Sequence, residues 1–226
     1  MQQRSFLSAD SHIVEPADFW TTHIAHEFAE QAPRATADSD GNVHFIVNGR
    51  PLGSVGAPSQ AGVRFKDPNQ VTFEGSWEQV RPGCANPNAR QADMDRDGAL
   101  GEVIFPTLGA RLYAAADGPL LSACFAAGNT WLAERFCGDT GDKFKGIALL
   151  NPQDTTSAVA ELERSSKIGL SGVMLPTYPG EDFPYFLDRY DPLWAAAADH
   201  NLPICFHVAS CCQGPGQRSV FTQNGQ

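Results

Sequence analysis

The hydrophobic positions after residue 88 alternate between short continuous apolar runs and segments with helical spacing. The apolar runs have the length and the bounding Gly, Pro or Asn residues of buried strands, and lie at 101–106, 144–150, 171–175 and 202–208. Helical periodicity fills the intervals between them, at 89–97, 120–136, 154–168 and 193–200. Continuous apolar strands that alternate with helices predict a parallel sheet covered on both faces.

The first 90 residues follow a different pattern. Ser5 to Asp10 predicts a short buried strand, and Pro16 predicts the start of a helix. Residues 33–90 are rich in Gly, Pro, Asn and Gln, and we interpret them as a long insertion after this strand. Inside it, the apolar run 43–47 ends at Asn48-Gly49, which predicts a β-hairpin.

The order of elements predicts an α/β fold of the (β/α)8 TIM-barrel type. Five strands are present, whereas a complete barrel has eight and takes about 250 residues. Three further units would need roughly 100 more residues. We therefore expect residues 1–226 to form a single barrel domain that is C-terminally truncated, with 33–90 as an insertion within it.

Charge and composition narrow the range of partners. The chain carries 16 Lys and Arg against 26 Asp and Glu, a net charge of −10, without a basic cluster. This argues against nucleic acid or an anionic membrane as a partner and favours a small-molecule substrate. Signal-peptide and membrane-span patterns are missing, and the six Cys show no disulfide framework, so we expect reduced thiols and a cytoplasmic protein. Open sheet edges leave a homo-oligomer possible.

Three metal-ligand residue types stand at the ends of two predicted strands. Asp10 and His12 end the first strand two residues apart, so both side chains point to the same face. His207 ends the fifth strand. A carboxylate and two imidazoles at the carboxyl ends of barrel strands are suited to one divalent metal ion. The alternative is that Asp10 caps a turn and both histidines are partly buried structural residues.

Other polar residues near strand ends carry weaker hypotheses. Thr107, Thr177 and Tyr178 follow the second and fourth strands and are predicted to line the mouth and bind substrate, although each could be a plain loop residue. Glu15 could support the metal site or favour a helix N-terminus through its dipole. Arg96 could bind a substrate carboxylate or pair with a neighbouring Asp.

Three motifs in this order resemble the amidohydrolase-related family. They are Asp10-Ser-His12-Ile-Val-Glu15-Pro16, Asp93-Met-Asp95-Arg96-Asp97-Gly98, and Ile204-Cys-Phe-His207. The branch resembled contains aminocarboxymuconate-semialdehyde decarboxylase and aromatic-acid decarboxylases. The resemblance implies a distorted TIM barrel with one divalent cation, zinc in preference to manganese, on Asp10, His12 and His207. Many relatives have His or Glu where this chain has Asp10, and the family's acid/base His and Asp would lie beyond residue 226, so catalytic residues stay unknown.

Two chemistries fit such a site. One is hydrolysis by metal-activated water, and the other is non-oxidative decarboxylation of a small carboxylic-acid or cyclic substrate, which the resemblance favours. A different possibility is an inactive truncated fragment. A five-stranded flavodoxin-like binding domain is disfavoured, because Asp10-Ser-His12 stands where that fold has a Gly-rich phosphate loop.

Overall fold

The parallel sheet predicted from the sequence is present. The computed structural model describes residues 5–56, 67–116, 118–138 and 140–212. Five parallel strands form one sheet in the order β1-β5-β6-β7-β8. The strands are β1 Phe6–Ile13, β5 Ala99–Pro106, β6 Phe144–Leu149, β7 Gly172–Tyr178 and β8 Ile204–Cys211.

Helices connect consecutive strands of this sheet, as the periodicity predicts. They are α1 Pro87–Asp97, α2 Leu112–Ala115, α3 Gly118–Trp131, α4 Thr155–Lys167 and α5 Asp191–Asp199. A π-helical turn, Leu132–Cys137, extends α3. Local chemistry sets the helix ends: Asp154 accepts a hydrogen bond from the Ser157 amide at the start of α4, and Gly98 ends α1 in the left-handed conformation with φ 82°.

The insertion forms a separate antiparallel sheet of three strands, β2 Arg34–Ala37, β3 Val43–Val47 and β4 Arg50–Ser54. Asn48 and Gly49 have φ values of 48° and 72°, so two residues with positive φ connect β3 to β4. This is the turn that suits the twist of a two-residue hairpin. The hairpin prediction is confirmed, and in the described residues the insertion lies outside the parallel sheet.

Two local predictions near the N-terminus are wrong. The first strand is longer than predicted and mostly exposed, with Leu7 74% accessible, because β1 lies at the edge of the sheet in the described residues. Pro16 does not begin a helix; turns follow it instead. Phe19 and Trp20 in these turns are fully buried, and Trp20 packs on Phe45 of the insertion with ring centroids 5.3 Å apart. Tertiary packing of these two aromatic residues joins the insertion to the sheet.

Strong curvature of the parallel sheet positions the site. Neighbouring strands lie about 4.8 Å apart, so a flat five-stranded sheet would separate β1 from β8 by roughly 19 Å. Yet side chains of these two edge strands come within 3.2 Å of each other. The sheet therefore curls around an axis as the wall of a barrel does, and it forms a half-barrel whose inward side chains meet in the middle.

Candidate metal centre

The structure brings Asp10 and His12, near the carboxyl end of β1, together with His207, in the middle of β8. One ligand atom of each residue lies within 4.8 Å of the others. The Nε2 atoms of His12 and His207 are each 3.2 Å from Oδ1 of Asp10. The two imidazole rings meet edge to face, with centroids 5.0 Å apart. The sequence predicted that these three residues lie close together, and the geometry agrees. The prediction that His207 ends its strand is wrong, because β8 continues to Cys211 through its pairing with β7.

A β-bulge turns the first two of these side chains inward. Between Ser8 and Ser11, β1 advances three residues while β5 advances two. Leu7 pairs with Gly101 and His12 pairs with Phe105, so Leu7 and His12 share a face although they are an odd number of residues apart. The extra residue in the bulge explains why these two side chains share a face. After it, the side chains of β1 that would otherwise point to one face of the sheet point to the other.

Both imidazole rings lie between two hydrogen-bond acceptors. The Thr107 hydroxyl donates its proton to the carbonyl of Ile13 at 2.6 Å, and its oxygen lies 3.3 Å from Nδ1 of His12. Nδ1 of His207 lies 2.6 Å from the carbonyl of Val208. On the opposite side of each ring, Nε2 faces Oδ1 of Asp10 at 3.2 Å, and this carboxylate oxygen also only accepts. A neutral ring has a single N–H, so it can donate to one of its two acceptors at a time.

Burial favours the neutral, ligating form of His12. Desolvation lowers its pKa most, and the positive charge of a protonated His207 lowers it further, while the Asp10 carboxylate opposes both. The side chains of His12 and His207 are 34% and 16% exposed, whereas that of Asp10 is 68% exposed. The site is therefore open to solvent on the Asp10 side, and this opening gives an ion or substrate access.

This donor set fits a divalent cation. Bonds of about 2.0 to 2.2 Å at tetrahedral angles separate ligand atoms by about 3.3 to 3.6 Å. Each Nε2 lies 3.2 Å from Asp10 Oδ1, close to that range, and all three ligand atoms lie within 4.8 Å of one another. A cation at the centre of these three atoms would take a lone pair from each neutral imidazole and from the carboxylate. Two imidazoles and one carboxylate suit zinc or manganese.

Comparison with known sequences decides the family. The profile of the amidohydrolase family matches residues 22–225. This chain belongs to the amidohydrolase family. The matched range includes His207 and begins after Asp10 and His12, so these two are placed in the site by the geometry described above.

Decarboxylases are among the proteins to which this chain is similar. Decarboxylase orsB of Emericella nidulans is 34% identical over 92 residues, which are 40% of this chain and 27% of that protein. Among solved structures, amidohydrolase map2389c from Mycobacterium avium subsp. paratuberculosis K-10 aligns with a TM-score of 0.72 and 23% identity, over 92% of this chain and 59% of its own. The 2,6-dihydroxybenzoate decarboxylase from Rhizobium aligns with a TM-score of 0.53 and 18% identity, over 90% of this chain and 50% of its own. These structures show the fold, and this amidohydrolase chain spans about half their length.

The predicted substrate residues occupy different positions around the mouth. Thr107 contacts His12 directly. The Thr177 hydroxyl donates to the carbonyl of Ser210 at 2.7 Å and so ties β7 to β8, while Tyr178 is exposed at the same end of the sheet. Their part in substrate binding stays a prediction. Arg96 pairs with Asp93 at 2.9 Å on the exposed face of α1, as the simpler hypothesis predicted.

Glu15 has a structural role that the sequence indicated only in outline. Its carboxylate is fully buried and accepts hydrogen bonds from the amides of Leu108 and Gly109, at 2.9 and 2.7 Å. Glu15 thus binds the N-terminal end of the 3-10 turn Gly109–Arg111, after β5, rather than that of a helix after Pro16. The hypothesis of a helix N-terminus pointed to the right chemistry, but the partner lies 93 residues away.

Proposed function

We propose that Asp10, His12 and His207 hold one divalent metal ion and that the whole protein is a metal-dependent enzyme acting on a small carboxylic-acid or cyclic substrate. The observation that carries the proposal is the convergence of two imidazole Nε2 atoms and a carboxylate oxygen inside a half-barrel. When bound, such an ion polarises substrate oxygens and lowers the pKa of a bound water to about 7. Zinc is the ion we expect first, and manganese second.

Among the two chemistries, we favour non-oxidative decarboxylation. The similarity to decarboxylase orsB supports this choice, since it is a sequence relationship at 34% identity. In this reaction a substrate carboxylate would lie at the exposed Asp10 side of the site. Thr177 and Tyr178, at the end of β7, would contact the rest of the substrate.

Hydrolysis is the second candidate. Membership of the amidohydrolase family supports it, because the same three ligands could serve attack by water on a C–N or C–O carbonyl. In hydrolysis, as in decarboxylation, the residues of this chain would hold the metal ion and orient the substrate. The two candidates therefore differ in the product released and share the metal site.

Metal binding by the 226-residue chain is the first test. We expect zinc to bind with one equivalent per chain in a chelator-competition titration, and to raise the midpoint of thermal unfolding through preferential binding to the folded state. His207→Ala should weaken binding at least tenfold, because two protein ligands hold such an ion poorly. His200→Ala is the matched control: its Nδ1 lies 3.2 Å from Ser166 Oγ, away from the site, and it should bind as the wild type does. Equal affinity in both variants would contradict the assignment.

Product analysis then separates the chemistries. The chain, loaded with zinc or manganese, would be incubated with hydroxybenzoates on one side and with amide or ester analogues on the other. Release of CO₂ that is lost in His207→Ala supports decarboxylation, whereas release of amine or alcohol supports hydrolysis. A chain that binds metal and turns over neither class would favour the inactive-fragment alternative.

A further inference from the structure

Nδ1 of His12 has one side-chain partner, which comes from the segment after a neighbouring strand. Nδ1 of His207 bonds to the main chain of the next residue, which no substitution removes. Nδ1 of His12 instead faces the hydroxyl of Thr107, the residue that follows β5. Since that hydroxyl donates its proton to the Ile13 carbonyl, its oxygen can only accept a hydrogen bond from the ring.

We propose that Thr107 is a positioning residue that holds His12 in the Nδ1-protonated form, and that Glu15 keeps Thr107 in place. The inference rests on the proposed metal site. It gives Thr107 a different part from the substrate contact that the sequence suggests. A histidine that ligates through Nε2 needs a hydrogen-bond acceptor at Nδ1, and that partner fixes both ring orientation and basicity.

The alternative proton position would close the site. Without an acceptor at Nδ1, the ring can carry its proton on Nε2 and donate it to Oδ1 of Asp10, which lies 3.2 Å away. That hydrogen bond would occupy two of the three ligand atoms at once. Thr107 therefore favours the state in which Nε2 of His12 and Oδ1 of Asp10 are both free to bind a metal ion over the state in which they are hydrogen-bonded to each other.

Glu15 restrains the residues immediately after Thr107. Its two carboxylate oxygens bind the amides of Leu108 and Gly109, and the backbone comes close enough that a Cβ on Gly109 would lie 2.8 Å from a Leu149 methyl carbon and 3.4 Å from Oε1 of Glu15. A larger residue at 109 would thus push this segment away. The path from Glu15 to His12 runs through two amides, the Thr107 backbone and one hydroxyl.

The test is the tautomer of His12 in the metal-free protein, read from ¹⁵N-edited NMR of the imidazoles above pH 8, with the His12 signals assigned from a His12→Gln variant. We expect a protonated Nδ1 and a bare Nε2 in the wild type. Thr107→Val, which replaces the hydroxyl with a methyl group, should move the proton to Nε2. Thr107→Ser should restore the wild-type pattern. Thr140→Val is the control, because the Thr140 hydroxyl also donates to a backbone carbonyl, that of Cys137, and does not contact His12.

Zinc affinity is the second measurement. Thr107→Val should bind about 10- to 100-fold more weakly, and Thr107→Ser and Thr140→Val close to the wild type. A wild type with its proton on Nε2, or an unchanged tautomer in Thr107→Val, would overturn the inference, and the first of these needs no variant to fold. If the tautomer follows Thr107 but the wild type binds no metal, the proposed function fails and the positioning role stands. If the wild type binds metal but Thr107→Val changes neither the tautomer nor the affinity, the positioning role fails and the proposed metal site stands.

Discussion

The buried carboxyl group of Glu15 should make the stability of the fold depend on pH. Burial raises its pKa from 4.5 to about 7, against the opposing effects of the Gly109 and Leu108 amides and of Arg111. Between these two values the folded state holds a proton that the unfolded state has released. Stability is therefore greatest below pH 4.5 as far as this group is concerned, and it falls as the pH rises towards and through 7.

The size of the effect follows from the difference between the two pKa values. About 2.5 pH units at about 1.4 kcal/mol each give about 3 kcal/mol for the whole titration. Most of this, about 2.5 kcal/mol, is lost between pH 5 and pH 8. Because the side chain is fully buried, solvent screening does not reduce the figure.

Glu15→Gln isolates this contribution, since glutamine has the same shape and does not titrate. Urea unfolding of the metal-free wild type and of the variant would be measured from pH 5 to pH 8. Subtracting the two free energies of unfolding cancels the other titrating groups. The wild-type advantage should shrink by about 2.5 kcal/mol over this range. Glu30→Gln, at a side chain that is 95% exposed, is the control for the loss of one surface carboxyl group. A flat difference for Glu15→Gln would refute the reasoning.

Two further predictions concern the packing and the hairpin. Asn129→Leu should lower the free energy of unfolding by about 2 to 4 kcal/mol in urea titrations. The buried Asn129 side chain forms hydrogen bonds with both the backbone amide and the backbone carbonyl of Leu149, which leucine cannot do. A loss below about 1 kcal/mol would mean that water replaces the Asn129 side chain in these hydrogen bonds. Gly49→Val should cost about 1 to 2 kcal/mol by the same measurement, since φ of 72° is unfavourable for a β-branched residue; an unchanged stability would show that the turn adopts another conformation.

Three of the six thiols should react with a disulfide reagent only when the protein unfolds. Burial raises the pKa of three of them to about 12, those of Cys124, Cys137 and Cys212. At pH 8 these should react with a disulfide reagent only on unfolding, since the thiolate is the nucleophile. The six cysteines are all free, so denatured protein should titrate six thiols. Rapid reaction of all six in the native state would contradict the burial described here.

Within the described parts of the chain, no helix is long and apolar enough to span a bilayer.

The succession of elements could be predicted because its causes are local. Asn48-Gly49 sets the hairpin turn, Asp154 and Gly98 set helix ends, and the continuous apolar runs set the parallel strands. Each of these depends on backbone conformation or hydrogen bonds within a few residues, which neighbouring letters of the sequence encode. Asp10, His12 and His207 could be proposed as ligands for a related reason: their residue types and their positions at the ends of predicted strands are visible in the sequence.

What the tertiary structure alone decided depends on residues far apart in the chain. The curl of the sheet brings Asp10 to His207, 197 residues away, and a bulge shifts which residues of β1 face the interior. The Nδ1 partner of His12 is Thr107, 95 residues away, and the buried carboxyl group of Glu15 accepts hydrogen bonds from amides 93 and 94 residues away. The sequence by itself determined which groups are present and in what order they meet the ends of strands. Their distances, proton positions and burial come from nonlocal packing, because no local interaction constrains side chains that approach each other from opposite edges of a curved sheet.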